Sequence, residues 1–283
     1  MSDKRELKRT REVLKATAST ITSSLTCSNP SSYENCPFCG QPQQKYSEGV
    51  YKPCNCEGMT KNSDLIRQVR DIEMQIDSLD DRITAYEEIA VRRWEKSNVG
   101  KRFMNRTFES YDPTGHEKQY EICKKYADEF ESNSDGRGLM LYGTVGTGKT
   151  HLAAAIGNRV VYEYGYDVYF MPFTELLTTL KNNMNNKDFI KDFLRRLNKA
   201  DLLIMDDLGK EKYTEWAAEQ LFSLLDNRYR DCKPVIITTN YTPQQLAKRV
   251  DEAVMSRLVG TCALLSMNGQ DYRTSHRGWT RLP

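Results

Sequence analysis

The chain has 283 residues, with 41 Lys and Arg against 39 Asp and Glu, for a formal net charge of +2. That balance excludes a uniformly basic, histone-like nucleic-acid binder but leaves room for a local basic surface. With 39% apolar and 28% charged residues, a folded core is expected rather than a disordered chain. The longest aliphatic run, Leu202 to Met205, is far too short to cross a bilayer, so no membrane partner is expected. Met1 to Arg5 is charged and leads into no apolar segment, so no secretory signal is expected and the expected compartment is the cytoplasm.

Residues 1–26 form a polar arm whose first half is basic (Lys4, Arg5, Lys8, Arg9, Arg11, Lys15). Leu7, Val13 and Leu14 give only a weak helical stripe. A frayed helix or disordered arm is expected, with a nucleic-acid contact as the sharper alternative.

Residues 27–60 hold five of the eight cysteines: Cys27, Cys36, Cys39, Cys54 and Cys56. In a reducing compartment, clustered cysteines bind metal more often than they pair. Cys36-Pro37-Phe38-Cys39-Gly40 has the form of a zinc knuckle, with Gly40 free to take the left-handed turn that aims backbone N–H groups at sulfur. Cys54-Asn55-Cys56 is C-x-C and departs from the usual C-x-x-C. Four thiolates, from Cys36, Cys39, Cys54 and Cys56, at ~2.3 Å would close a structural tetrahedral Zn²⁺ site. Cys27 is a spare that could replace Cys54 or Cys56. The segment has too few large apolar residues to fold alone, and a metal would supply the missing stability. Cys123, Cys232 and Cys262 sit singly and read as small buried hydrophobes.

Residues 61–97 read as a helical linker. Over 62–95, Val69, Ile72, Ile76, Leu79, Ile83, Tyr86 and Ala90 alternate steps of three and four, a seam of roughly three heptads. It packs on its own protein or forms an intermolecular coiled coil; the pattern supports both.

From 98 to 283 strands and helices alternate. Strands are predicted at 139–142, 167–171, 201–205, 234–239 and 261–267. Helices are predicted at 149–162, 173–181, 187–198, 213–228 and 244–257. The alternation predicts an α/β domain with a parallel sheet flanked by helices, preceded by the small zinc-binding module and the long helix.

Gly143, Thr144, Val145, Gly146, Thr147, Gly148, Lys149 and Thr150 match G-x-x-x-x-G-K-[ST] between a predicted strand and a predicted helix. The glycines let backbone N–H groups wrap phosphates, and the helix start adds its positive dipole end. Lys149 should reach the β- and γ-phosphates of ATP, and Thr150 should bind Mg²⁺. Asp201 to Met205 is an apolar strand that ends in Asp206 and Asp207. Strand carboxyl ends carry the ligands of parallel sheets, so Asp206 is expected to hold Mg²⁺ and Asp207 to orient and deprotonate the attacking water. Asp207 is one methylene shorter than glutamate, so slow Mg²⁺-dependent ATP hydrolysis to ADP is expected. Val235 to Thr239 ends likewise in Asn240, an amide placed to bond the γ-phosphate and the water. Arg257 and Arg273 follow in Ser256-Arg257-Leu258 and Asp271-Tyr272-Arg273.

In that order the motifs resemble the P-loop AAA+ ATPase domain of bacterial and phage replicative helicase loaders of the DnaC/DnaI type, with IstB-like transposition helpers as relatives. The resemblance spans about 98–283. It implies that Asn240 is the sensor-1 residue, Arg257 a finger acting on a neighbouring subunit and Arg273 the sensor-2 arginine. It implies that Lys101 to Phe108 lies near the nucleotide base. It implies that the helix pair 173–199, with Lys181, Lys187, Lys191, Arg195 and Arg196, faces single-stranded DNA. Loaders of the DnaI type carry an N-terminal zinc module that docks the helicase. The expected function is therefore ATP-dependent loading of a hexameric, DnaB-type replicative helicase onto single-stranded DNA by an ATP-dependent homo-oligomer, with residues 1–95 holding the helicase. The alternatives are an IstB-like helper that binds target duplex DNA, and a zinc-stapled adaptor that binds nucleotide without hydrolysing it.

Overall fold

Five short apolar runs become one parallel sheet in the computed structural model, which describes residues 4–25, 35–43, 45–47, 50–51, 53–98, 100–133, 135–211 and 214–272. The strands are β3 (Gly138–Tyr142), β4 (Val168–Pro172), β5 (Leu202–Asp206), β6 (Val235–Thr239) and β7 (Cys262–Ser266). Their order is β4-β5-β6-β3-β7, with every pairing parallel. Side chains of a strand alternate between faces, and the sequence fills both faces. Leu139, Leu141, Leu202, Ile204 and Ile236 enter one core with α5 (Lys149–Tyr164). Met140, Leu203, Met205, Val235 and Ile237 enter the other. There they meet α6 (Phe173–Asn182), α7 (Lys187–Lys199), α8 (Glu215–Arg230) and α10 (Glu252–Thr261). Both faces are therefore dry, which is why these strands read as unbroken apolar runs.

The chain divides into two units, Met1–Glu87 and Glu88–Pro283. In the first, the described part of the expected arm is ordered. Lys4–Ser23 is a helix, α1, held to α2 (Glu57–Lys96) by Leu7 against Leu79 and Ile83. Lys4 pairs with Glu87 at 2.9 Å and Arg11 with Asp80 at 3.1 Å, so α1 runs antiparallel to α2. This part of the heptad seam thus packs on the chain's own first helix. The helix begins at Glu57, directly after the last cysteine of the cluster. β1 (Lys45–Ser47) and β2 (Val50–Tyr51) pair antiparallel between the two cysteine pairs. The second unit takes in the end of α2, ahead of the expected boundary at 98: Ala90 and Trp94 are core residues, and the Phe170 N–H donates to the Ser97 carbonyl at 2.8 Å. That last bond caps the β4 edge.

Two helices precede the sheet that the strand–helix alternation did not single out, α3 (Lys101–Met104) and α4 (Glu117–Asp128). The helix expected at 244–257 is two. A Thr242–Gln245 capping box starts α9 (Pro243–Leu246), and Asp251 accepts from the Ala253 N–H at 2.8 Å to start α10. A second N-cap inside a periodic run ends one helix and begins another. Cys123 and Cys262 are buried as expected, but Cys232 is exposed, at a turn with φ of 50°.

Arg228 on α8 is 1% exposed and holds this domain's lower edge together. It donates to the carbonyls of Leu197 (2.7 Å), Ala200 (2.9 Å) and Pro234 (2.8 Å), at the end of α7 and the approaches to β5 and β6. Burial draws its guanidinium down to about 10. Arg228→Met keeps the bulk and strands those carbonyls. It should cost about 3 kcal/mol, read as a lower urea midpoint at unchanged slope. An unmoved midpoint would show that water satisfies the carbonyls equally well.

Candidate active site

The carboxyl ends of β3, β6 and β5 are neighbours in the sheet, and each ends in a polar turn. After β3 the chain needs backbone that only glycine adopts freely: φ is 137° at Gly143, 81° at Gly146 and 87° at Gly148. Gly148 is the N-cap of α5, so the loop delivers its N–H groups at a helix start. The Lys149 ammonium turns back into the loop. It donates to the carbonyls of Gly143 (3.0 Å) and Thr144 (2.6 Å) and is nearly buried.

At the second residue of α5, the Thr150 hydroxyl donates to Asp206 Oδ1 at 2.7 Å. Thr238 of β6 donates to the same oxygen at 2.5 Å, and its Oγ1 accepts the Asp207 N–H at 3.0 Å. Asn240 Nδ2 donates to Asp207 Oδ1 at 3.3 Å. Thr150, Asp206, Asp207 and Asn240, proposed from sequence as one constellation, are thus joined in a single hydrogen-bonded chain through Thr238. Asp207 sits at φ 60°, outside the ordinary range of a non-glycine residue. Such strain, ~1–2 kcal/mol, persists only where neighbours impose it. Here the Leu208 N–H donates to the Thr238 carbonyl at 2.9 Å, and Thr239 Oγ1 donates to the Leu208 carbonyl at 2.7 Å.

Burial pushes the Asp206 carboxyl above its ordinary range and the Asp207 charge adds to this, against the two hydroxyl donors and Lys149. The stability cost of the ionised form is absent below the ordinary carboxylate pKa. It develops as pH rises from that ordinary value through the raised one. An oxygen cluster with two acids and a threonine hydroxyl suits Mg²⁺, a hard cation that takes carboxylates and phosphates. Asp206→Asn keeps an acceptor for both hydroxyls and removes the buried charge. The variant should melt higher than wild type by a few degrees at neutral pH, with the gap closing in acid. A lower melting point at neutral pH would contradict this account of the site.

Other residues frame the loop. The Tyr111 ring lies against Gly148, where a Cβ would meet it at 2.5 Å, and its hydroxyl donates to the Thr147 carbonyl at 3.3 Å. His151 packs edge-on to Tyr111 at 5.2 Å and bonds the Thr107 carbonyl through Nε2 at 2.9 Å, which makes Nε2 the protonated nitrogen. Of the segment expected near the base, Phe108 is a core residue, and Phe103 stacks on Phe170 at 5.1 Å. Beyond β7, Thr144 Oγ1 donates to the Gly269 carbonyl at 2.9 Å and the Tyr272 N–H to the Gly146 carbonyl at 3.1 Å, so this segment straps the outside of the loop.

Arg257 does not join this constellation. It pairs with Asp226 of α8 at 2.8 Å and lies over the Tyr229 ring at 5.0 Å. Arg273 lies outside the described residues, as does Cys27. Sequence reading passed over Thr238, although a hydroxyl inside the Val235–Thr239 run was a signal: a polar group on a doubly buried strand needs a partner. A groove of about 700 Å³ lies elsewhere, between α7 and α8, where Lys187, Lys191, Arg195, Lys199 and Lys233 surround Ile190, Leu194 and Trp216.

In the first unit, the Sγ atoms of Cys36, Cys39, Cys54 and Cys56 all lie within 4.8 Å of one another. Cys36–Cys56 is 3.5 Å and Cys39–Cys54 is 3.6 Å. Ligands ~2.3 Å from a tetrahedral ion stand about 3.8 Å apart, so the four thiols fit zinc. Gly40 has φ 71°, and the Cys36 N–H donates to the Gln41 carbonyl at 2.8 Å to close the knuckle. Burial raises the Cys36 thiol, but the Cys39 and Phe38 amides and the neighbouring thiols outweigh it and draw it to about 7. The C-x-C spacing is accommodated because Cys56 sits at the head of α2, where its sulfur accepts the Met59 N–H at 3.4 Å. Gly58 leaves room there for the Phe38 side chain, whose ring a Cβ would meet at 2.8 Å.

Comparison with known proteins places these features in a group. The family profile of IstB-like ATP binding proteins matches residues 61–279. The phage-like element PBSX protein XkdC of Bacillus subtilis strain 168 is 34% identical over 174 residues, 58% of this chain and 64% of XkdC. This chain therefore spans just under two thirds of that relative. The replicative helicase loader DnaC of Escherichia coli K12 is 26% identical over 191 residues, covering 66% of this chain and 77% of DnaC. A crystal structure of the DnaC helicase loader superposes with a TM-score of 0.55 at 30% identity, over 59% of this chain and 99% of that one.

Proposed function

The chain belongs to the IstB-like ATP-binding protein family, and from that premise we propose that it loads a hexameric, DnaB-type replicative helicase onto single-stranded DNA at the cost of ATP. The observation that carries the reading is the continuous chain Thr150–Asp206–Thr238–Asp207–Asn240 beside the glycine loop. It gathers what phosphoryl transfer to water needs: a phosphate cradle, a metal-binding oxygen pair, a base and an amide.

In this reading Lys149 leaves the Gly143 and Thr144 carbonyls for the β- and γ-phosphates. Thr150 and Asp206 would hold Mg²⁺, which would supply neutralisation of charge on those phosphates. Asp207 accepts the proton of the attacking water, and Asn240 orients that water against the γ-phosphate. Arg257 stands apart from its own chain's loop and acts on a neighbour in an ATP-dependent oligomer, while Arg273 acts as the sensor-2 arginine. The zinc module and α1–α2 hold the helicase. Lys187, Lys191 and Arg195 share one groove with Lys199 and Lys233, and this supports a polyanion contact by the helix pair 173–199.

The experiment mixes the protein, ATP, a DnaB-type hexamer and circular single-stranded DNA, and counts helicase left on the circles. Loading that needs this protein and ATP is the expected result. No stimulation and no helicase contact would refute the loader reading; tight binding to duplex DNA in that case would point to a transposition helper instead.

A further inference from the structure

We propose that Thr238 is a positioning residue whose single hydroxyl clamps the metal-binding acid and the water-activating acid in one register. The inference rests on the hydrolysis reading above and adds a residue to it.

A threonine hydroxyl has one proton to donate and lone pairs to accept. Thr238 uses the proton on Asp206 Oδ1 at 2.5 Å and a lone pair on the Asp207 N–H at 3.0 Å. It is fully buried, so water cannot take over either bond. The residues on both sides extend the junction: Leu208 N–H donates to the Thr238 carbonyl, Thr239 Oγ1 to the Leu208 carbonyl, and Asn240 Nδ2 to Asp207 Oδ1. Three consecutive residues at the end of β6 thus rivet the turn that follows β5. Thr238 alone among them touches both acids.

Two features give the hydroxyl a task beyond packing. First, Asp207 is held at φ 60°, and its N–H has Thr238 Oγ1 as its acceptor. Without that acceptor the strained residue keeps only the bonds at Leu208 and at its own carboxylate, and the Asp207 amide loses its restraint. Second, Asp206 Oδ1 has two hydroxyl donors, Thr150 and Thr238. Thr150 is the residue expected to face the metal, so its hydroxyl has a second demand on it. Thr238 has none, and it fixes the plane of Asp206 throughout.

Valine has the shape of threonine without the hydroxyl, and serine has the hydroxyl without the methyl. Thr238→Val and Thr238→Ser are compared with wild type by two readouts. In nucleotide-free protein, site-resolved amide hydrogen exchange should show the Asp207 amide exchanging at least about tenfold faster in the valine variant and near wild type in the serine variant. In steady-state hydrolysis, the valine variant should lose about tenfold to a hundredfold in kcat, with KM for ATP within about twofold and a several-fold higher Mg²⁺ requirement; serine should restore most of it. If the valine variant does not fold, Thr238→Ala serves for the same comparison. Unchanged exchange at Asp207, or a serine variant as impaired as valine, overturns the clamp. A wild-type protein that hydrolyses no ATP refutes the hydrolysis reading instead, and the exchange measurement then still decides the clamp.

Discussion

Lys149→Ala is expected to reduce ATP hydrolysis to background, a loss of about a thousandfold or more, and to weaken ATP binding severely. The side chain is the one ammonium inside the glycine loop among the described residues, and it is nearly buried there. Removing it takes one donor from the Gly143 and Thr144 carbonyls and breaks none of the bonds of the sheet itself, so the fold should survive. Phosphate release and fluorescent-nucleotide binding, with a melting curve beside them, separate the two effects. Unaltered affinity and turnover in a folded variant would mean that the triphosphate is bound elsewhere.

The second large effect is expected from the cysteine cluster. Cys36→Ser should abolish stoichiometric zinc binding and expose the segment around residues 35–56 to proteolysis. Structural zinc contributes ~10–16 kcal/mol in small modules with no core of their own, and this one has few large apolar side chains to fall back on. Nucleotide binding should persist, because the phosphate loop and its partners belong to the other unit. Cys27→Ser should leave zinc content unchanged, since four sulfurs already meet without it. Zinc retained after Cys36→Ser, or lost after Cys27→Ser, would reassign the ligand set.

Much of this was legible in the sequence for a plain reason. Doubly buried parallel strands are written as apolar runs, and a phosphate loop needs glycine where φ is positive and lysine and threonine at fixed offsets. Both signals are local. The acids at the end of Leu202–Asp206 and the amide after Val235–Thr239 were readable on the same grounds. What was not readable depends on tertiary pairing. α1 looked like a loose arm because Leu7 and Leu14 make a thin stripe; it is ordered by Leu79, Ile83 and two ion pairs contributed from more than fifty residues away. The 244–257 run hid a break because its periodicity continues across the second N-cap, Asp251. Thr238 was hidden because β-branched threonine fits a strand as well as valine does, and only the geometry shows which hydroxyl bonds both acids. The heptad seam could not announce its partner: the same stripe suits a neighbouring copy or the chain's own first helix.

Equilibrium titration of the full chain with ATP in the presence of Mg²⁺ tests most directly whether a triphosphate seats in the Gly143–Thr150 loop. Saturable binding of one nucleotide per chain, weakened by removal of Mg²⁺ and lost with Lys149→Ala, is the predicted result. An absence of saturable binding at millimolar ATP by the folded wild-type protein would contradict it.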